Sequence, residues 1–364
     1  MAETADPRQG ILESVSKHRA QIMGFAAMWI FVFHVRNEIL LFDNLPKWSF
    51  LPYVGNVDIY FDNIGFNGVD MFLFLSGWGL YHAIKKHRLL VFYKRRYRRL
   101  ILPFIAASLI PAVYYRWDIL RLVKAVTGWT FLTKDVLEPK WFVPAIALMY
   151  LFFPLYYWLF EKVPNKYILT AAAVVLWTAV SFVIPLVTSR TDISGPVGRI
   201  PVFIIGVLFG WLTFNGKELG KASWIVILIL LVLGFQAEYY VCFEKAELLN
   251  PTITIGLPGM LIAPSMCFIT GYVFMLLDRI RIIQKAYGFL GLMTLEFYCV
   301  QDIIIFVRDE IRYSGAQFER HLFVLVVFVL CLGFGYLLYL VNTLILKKAD
   351  GKALFEAKET GSKP

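Results

Sequence analysis

Residues 19–41 read RAQIMGFAAMWIFVFHVRNEILL. The run is long and apolar enough for one helix to cross a bilayer, which takes ~20 residues. Inside it stands His34, with Arg36, Asn37 and Glu38 just behind. An ionisable group within a membrane helix is expensive, and such groups face a bundle interior and mark functional sites.

Apolar runs of similar length recur along the whole chain. Of its 364 residues, 59% are hydrophobic and 17% charged, whereas a soluble domain is nearer half apolar and a quarter charged. The expected fold is therefore all-α: a polytopic membrane helical bundle. Ten spans are predicted, at about 21–41, 64–84, 99–116, 142–160, 167–187, 200–214, 223–241, 254–277, 287–306 and 321–346. One integral domain, 19–346, is flanked by solvated tails at 1–18 and 347–364. Residues 121–133 are too short to span and read as an interfacial helix or a loop packed on the bundle. The N-terminus has no apolar signal-peptide core, so the first span is expected to act as its own insertion signal.

The net charge of +10 does not point to nucleic acid. The tails and even-numbered loops, counted through Arg19, hold 23 of the 36 Lys and Arg residues. Cytoplasmic loops carry such an excess, which places both termini in the cytoplasm. The four cysteines, Cys242, Cys267, Cys299 and Cys331, are scattered. They form neither a disulfide framework nor a metal spacing, and no metal is expected.

Orientation gives each polar residue a depth. His34 lies ~20 Å along an outward-running helix, in the outer half of the membrane. Asp70, Trp141, Arg199, Gln301 and Asp302 fall at a similar level on other spans. A neutral imidazole can take a proton from a hydroxyl and pass it on. Such a base needs an orienting partner. Asp70 is the first choice and Glu38, one turn away, the local alternative. The plain reading is a buried histidine bonded to nearby backbone. Trp141 is read as a belt aromatic or, alternatively, as a platform for a sugar. Gly68, Gly77 and Gly79 indicate close helix packing.

The run FYKRRYRRLILP at 92–103 carries Lys94, Arg95, Arg96, Arg98 and Arg99. Topology alone accounts for a basic loop here. The functional reading is an anion site, because arginine forks match phosphate and residues three apart share a helix face.

Taken together, the sequence resembles the acyltransferase 3 family of integral-membrane acyltransferases. The matching pieces are MGFAAMWIFVFH, GVDMFLFLSGW, FYKRRYRRLILP, KWFVPAIALMYLFFP, GRIPVFIIGVLFG and FLGLMTLEFYCVQ, in order over about 19–305. The resemblance implies transfer of an acyl group, often acetyl from acetyl-CoA, to a hydroxyl of a cell-surface glycan. It implies that His34 is essential and that the RxxR arginines handle the donor. Two positions depart from the pattern. Where many members have an arginine eleven residues before the histidine, this chain has Met23, and Arg19 lies on nearly the same face. Where many end the ninth-span motif in histidine, this chain has Gln301.

The expectation is thus a plasma-membrane O-acyltransferase working between a cytoplasmic acyl-CoA, an outer glycan acceptor and the bilayer. Arg95 to Arg99, with Arg19, would hold the donor, and His34 would be the general base, held by Asp70. Arg199 or a backbone N–H would stabilise the oxyanion. A covalent acyl-histidine is the alternative course. The rival function is a transporter or flippase for a lipid-linked or anionic glycan, which discontinuous helices in two related halves would favour.

Overall fold

A computed structural model describes residues 10–40, 57–133, 141–188, 194–240, 251–314 and 319–359. Within them the chain is all-helical, and no strand occurs among the described residues. In order, the helices are α1 (Ile11–Lys17), α2 (Arg19–Leu40), α3 (Val57–Asn63), α4 (Asn67–Lys86), α5 (Leu89–Tyr114) and α6 (Ile119–Val126). There follow α7 (Trp129–Thr133), α8 (Phe142–Lys162), α9 (Lys166–Thr188), α10 (Ser194–Gly198), α11 (Ile200–Phe214) and α12 (Ser223–Tyr239). The chain continues through α13 (Pro251–Leu276), α14 (Arg281–Leu292), α15 (Thr294–Cys299), α16 (Asp302–Ser314) and α17 (Arg320–Glu359).

Six stretches are long and apolar enough to cross a membrane alone: α5, α8, the bodies of α9, α13 and α17, and α10 joined to α11. The bent pair of α14 with α15–α16 makes a seventh if counted as one span. This is fewer than the ten spans expected, and the difference has a physical cause. The α2 and α4 helices are long enough but sit at the centre of the bundle. Thirteen residues of α4 are buried, Asn67 and Asp70 among them. A helix sheathed by other helices need not be apolar all round, since its polar groups meet protein instead of lipid. The α12 helix is apolar but short. Around this centre, α9 and α17 turn many large apolar side chains outward, including Val175, Leu176, Val329 and Leu344.

The α4 and α11 helices pack at backbone distance. A Cβ on Gly77 would run into the Phe203 carbonyl oxygen, and one on Gly206 into that of Phe74. Small residues permit such contact, as the glycines of the GVDMFLFLSGW segment led us to expect.

Three expectations need correction. Residues 11–17, read as part of a solvated tail, form α1, whose Ile11, Leu12, Ser14 and Val15 are buried. The Glu218 carboxylate accepts from the Leu12 N–H at 2.6 Å and the Glu13 N–H at 3.1 Å, capping the otherwise unpaired amides of this helix start. The basic run is not a loop but the first turns of α5, continuous with a span. The ninth span is not straight. It bends by 67° between α14 and α15–α16. Glu296, wholly buried just past the bend, is held by Arg99 Nη1 at 3.3 Å and by the Asn342 amide at 2.8 Å. A carboxylate in apolar surroundings needs such partners, and reaching them goes with the break in the helix.

Candidate active site

His34 lies on α2, where the interior of the helix meets α15 and α16. Its Nδ1 donates to Gln301 Oε1 at 2.5 Å, with the Gln301 amide placed so that its oxygen faces the ring. A carbonyl oxygen only accepts, so Nδ1 carries the proton and Nε2 presents its lone pair. Among the described residues Nε2 has no hydrogen-bond partner. That tautomer is the one a general base needs. Gln301 stands at the junction of α15 and α16, where its N–H bonds to the Tyr298 carbonyl and its own carbonyl accepts from the Ile304 N–H. Its own Nε2 is buried without a partner.

Neither carboxylate expected to orient His34 does so. Asp70, fully buried, accepts from Arg199 Nε at 3.1 Å. Its azimuth turns Asp70 toward the start of α11 and away from the imidazole. Glu38 is paired with Arg308, which also holds Asp309 at 2.6 Å. The carboxylate whose charge acts on the imidazole is Asp302, next to Gln301.

Arg199 also donates to the Gly195 carbonyl at 3.1 Å. Its guanidinium lies 5.2 Å from the Trp141 ring and 5.6 Å from that of Phe66. The Trp141 face expected to meet a sugar therefore carries a cation. An aromatic chain links this cluster to His34: Trp141 to Phe142 at 6.3 Å, Phe142 to Tyr298 at 5.6 Å, and Tyr298 to His34 at 6.4 Å. The expected outer-level residues thus belong to one neighbourhood, with Tyr298 as the member that sequence reasoning missed. Two further buried pairs lie around it, Arg36 with Asp62 at 3.6 Å and Asn67 with Glu238 at 3.4 Å.

A second site lies at the other end of α2. Arg19 precedes His34 by 15 residues, which is ~22 Å along a helix and only ~60° around it. Arg19 Nη2 donates to the Leu75 carbonyl at 2.6 Å. The guanidinium rests over Gly79, where a Cβ would stand 2.7 Å from Nη2. Arg19 and Arg96 line a cavity of about 390 Å³ together with Val15, Ser16, Trp78, Gly79 and His82. None of these residues is acidic, so the cavity is positive.

The arginine run is divided by its helix. Arg96 faces the cavity. Arg95 meets His87 at 3.0 Å on an exposed surface. Arg99 donates to the Leu292 carbonyl at 2.8 Å and to the buried Glu296, at the bend of the ninth span. Arg98 is half-buried and engaged elsewhere. Arg96 and Arg99, one of the two overlapping RxxR pairs implied to handle the donor, have separate surroundings.

The fold and these sites define a multi-pass helical membrane protein with an oriented histidine near one end of a central helix and an arginine-lined cavity near the other. The model of the acyltransferase 3 family, described as an acyltransferase domain, matches residues 23–340. The chain belongs to that family, whose members are membrane acyltransferases. No curated protein and no solved structure matches the chain.

Proposed function

We propose that this protein is a plasma-membrane O-acyltransferase that moves an acyl group, acetyl in the simplest case, from cytoplasmic acyl-CoA to a hydroxyl of an outer glycan. The observation that carries the reading is the His34–Gln301 bond, which leaves Nε2 as a free base inside a family acyltransferase domain. The acceptor hydroxyl gives its proton to Nε2 and its oxygen attacks the thioester carbonyl. The tetrahedral intermediate collapses with loss of the CoA thiolate, which takes the proton back from the imidazolium. The products are the ester and the free thiol. The nucleotide phosphates of the donor sit at Arg19 and Arg96, and the pantetheine arm follows α2 toward His34. With Arg199 tied to Asp70 and Gly195, the oxyanion falls to a backbone N–H group.

In this reading the chain crosses the membrane ten times, with both termini in the cytoplasm. A single cysteine at Lys217 should react with an impermeant reagent only after permeabilisation, and one at Glu310 without it. The opposite pattern inverts the site.

The chemistry is tested by His34→Ala. Turnover of acetyl-CoA by membranes containing the protein, and alkali-labile acyl groups on surface polysaccharide, should fall by ~10²–10⁴-fold with expression unchanged. Near-normal turnover rules out the base. One observation favours a second reading: the broken ninth span is the kind of helix that lines a transport path. A transporter would leave acetyl-CoA unconsumed in the same assay.

A further inference from the structure

His82 lines the arginine cavity, and its hydrogen bonding fixes what it can do there. It stands three residues after Gly79, on the same face of α4 that carries the Arg19 guanidinium. One ring nitrogen, Nε2, lies 2.9 Å from Thr213 Oγ1. The tautomer follows from counting protons at that hydroxyl, which has one proton and two lone pairs. The Thr213 proton goes to the backbone, at 3.0 Å from the Phe209 carbonyl and 3.1 Å from that of Gly210. One lone pair takes the Trp78 Nε1–H at 2.9 Å. The remaining lone pair faces His82, an arrangement that assigns Nε2 as the donor. Nδ1 is then a bare acceptor, and among the described residues it has no hydrogen-bond partner.

A bare acceptor is out of place in a cavity built for an anion. Toward a phosphate oxygen it is repulsive while neutral and becomes a donor once protonated. The charged groups around the ring are all cationic: Lys86 on α4, Arg19 from α2 and Arg96 from α5. From α1 come Val15 and Ser16. From α11 come Thr213 and the Phe214 ring, 5.7 Å away. Tyr81 and Lys85 are held by Glu161 of α8 at 2.8 and 2.9 Å, so that carboxylate is already engaged. With the cavity empty, three cations oppose a fourth. A bound phosphate reverses that field and supplies the acceptor that Nδ1–H requires.

We propose that His82 is the third cation of the donor site, and that its Nδ1 takes up a proton as a nucleotide phosphate enters between Arg19 and Arg96. The proposal rests on the reading of this cavity as the acyl-CoA site. It makes donor binding proton-linked, and it makes the nucleotide end of the donor, rather than its acyl end, the part that His82 reads.

The test uses the full chain in phosphatidylcholine nanodiscs, with acetyl-CoA as probe. His82→Gln keeps an N–H donor for Thr213 and removes the titrating nitrogen. Acetyl-CoA affinity should fall by about tenfold in this variant at pH 6 and by less than about twofold at pH 8. The comparison is between wild type and variant at each pH, so the donor's own titration cancels. Acetyl-pantetheine, which lacks the nucleotide, should show no dependence on residue 82. The wild type gives a measurement that does not depend on the variant folding. At pH 7, where the donor's phosphates are mostly ionised and the ring still titrates, binding heats in two buffers of different ionisation enthalpy should report proton uptake. Equal pH dependence in both proteins, or no uptake by the wild type, overturns the proposal while leaving the donor site in place. Failure of acetyl-CoA to bind the wild type at either pH overturns the donor reading and the proposal with it. His82-dependent binding of phosphatidylglycerol in place of acetyl-CoA would assign the cavity to a lipid headgroup, and it too overturns the proposal.

Discussion

Replacing Gln301 by Met separates catalysis from stability, because Gln301 makes one useful hydrogen bond and leaves another polar atom unsatisfied. The residue is 5% exposed. Methionine fills a similar volume and adapts to its surroundings. On the stability side, the change removes the His34 bond and also the orphaned Gln301 Nε2. An unsatisfied buried donor costs ~1–3 kcal/mol, and a hydrogen bond inside a membrane protein returns ~0.6–1.7 kcal/mol. The two terms oppose, so thermal stability should stay level or rise. On the catalytic side, the lost bond was the one that held the proton on Nδ1. A bias of 0.6–1.7 kcal/mol corresponds to ~3–20-fold in the population of the active tautomer. Turnover in Gln301→Met should therefore fall by that factor, well short of the loss in His34→Ala. The donor KM should be unchanged, since the arginine cavity lies at the far end of α2. The assay is steady-state acetyl-CoA consumption in proteoliposomes, paired with a fluorescence melting curve. A turnover within twofold of wild type, or a Tm that falls together with activity, refutes the assignment of Gln301 as the residue that orients the base.

The arginine run supplies a second contrast. Arg96→Lys keeps charge but loses the fork, and should raise the donor KM by on the order of 1–2 kcal/mol in binding with little change in kcat. Arg99→Lys should leave the donor KM alone and lower the melting temperature instead, because Arg99 serves Glu296 and the Leu292 carbonyl. A pH prediction concerns α1. Asp278 is partly desolvated, which pushes its carboxyl upward, but His18 Nε2 at 2.8 Å and Lys17 Nζ at 3.1 Å outweigh this and hold it below the ordinary carboxylate range. A depressed carboxylate contributes above its unfolded value of ~3.9 and ceases to as pH falls through the lowered one. Amide exchange of residues 11–17 should therefore accelerate below about pH 4 in the wild type. In Asp278→Asn it should be fast already at neutral pH, and a variant as protected as wild type would show that the ion pair does not hold α1.

The all-helical bundle was legible because apolar runs of span length dominate the chain. The site was half legible. His34 stood out as an ionisable group in an apolar run, and the residues expected at its level, Asp70, Trp141, Arg199 and Gln301, lie in its neighbourhood of the bundle. Depth is one coordinate, however, and partners are set by azimuth, which depends on how helices rotate against one another. Hence Asp70 was matched to the wrong partner. The bend at Met293 was hidden for a related reason. No proline marks it, and the contacts beside it, Glu296 with Arg99 and Asn342, are tertiary. In the basic run, composition gave the charge, but successive residues point ~100° apart on a helix. Only the packing of α5 shows that Arg96 faces the cavity while Arg95 and Arg99 do not. His82 carried no signal at all, since a histidine near a span end is ordinary until Arg19, Arg96 and Thr213 are seen around it.

The distribution of buried charge bears on the kind of base that His34 can be. Asp70 with Arg199, Asp62 with Arg36, Glu38 with Arg308 and Glu296 with Arg99 each join two separate elements. Removing one member of a buried pair costs ~3–5 kcal/mol, because the other is left uncompensated. These carboxylates are therefore committed to holding helices together and cannot also serve the imidazole. What remains for His34 Nδ1 is a neutral amide. A carboxylate partner would stabilise an imidazolium strongly and make Nε2 a stronger base. A carboxamide fixes the tautomer and does much less for the charge, leaving Asp302 to act through space. A thioester is activated enough that a modest base suffices to deliver a sugar hydroxyl to it. On this argument Gln301→Glu does not improve the enzyme, although it creates the familiar carboxylate–histidine pair. It adds a buried charge with no second partner, stabilises the imidazolium in the resting state, and shifts the acid limb of the pH–turnover profile upward. Turnover at neutral pH that rises in Gln301→Glu would contradict the view that the site works with a neutral, tautomer-fixed imidazole.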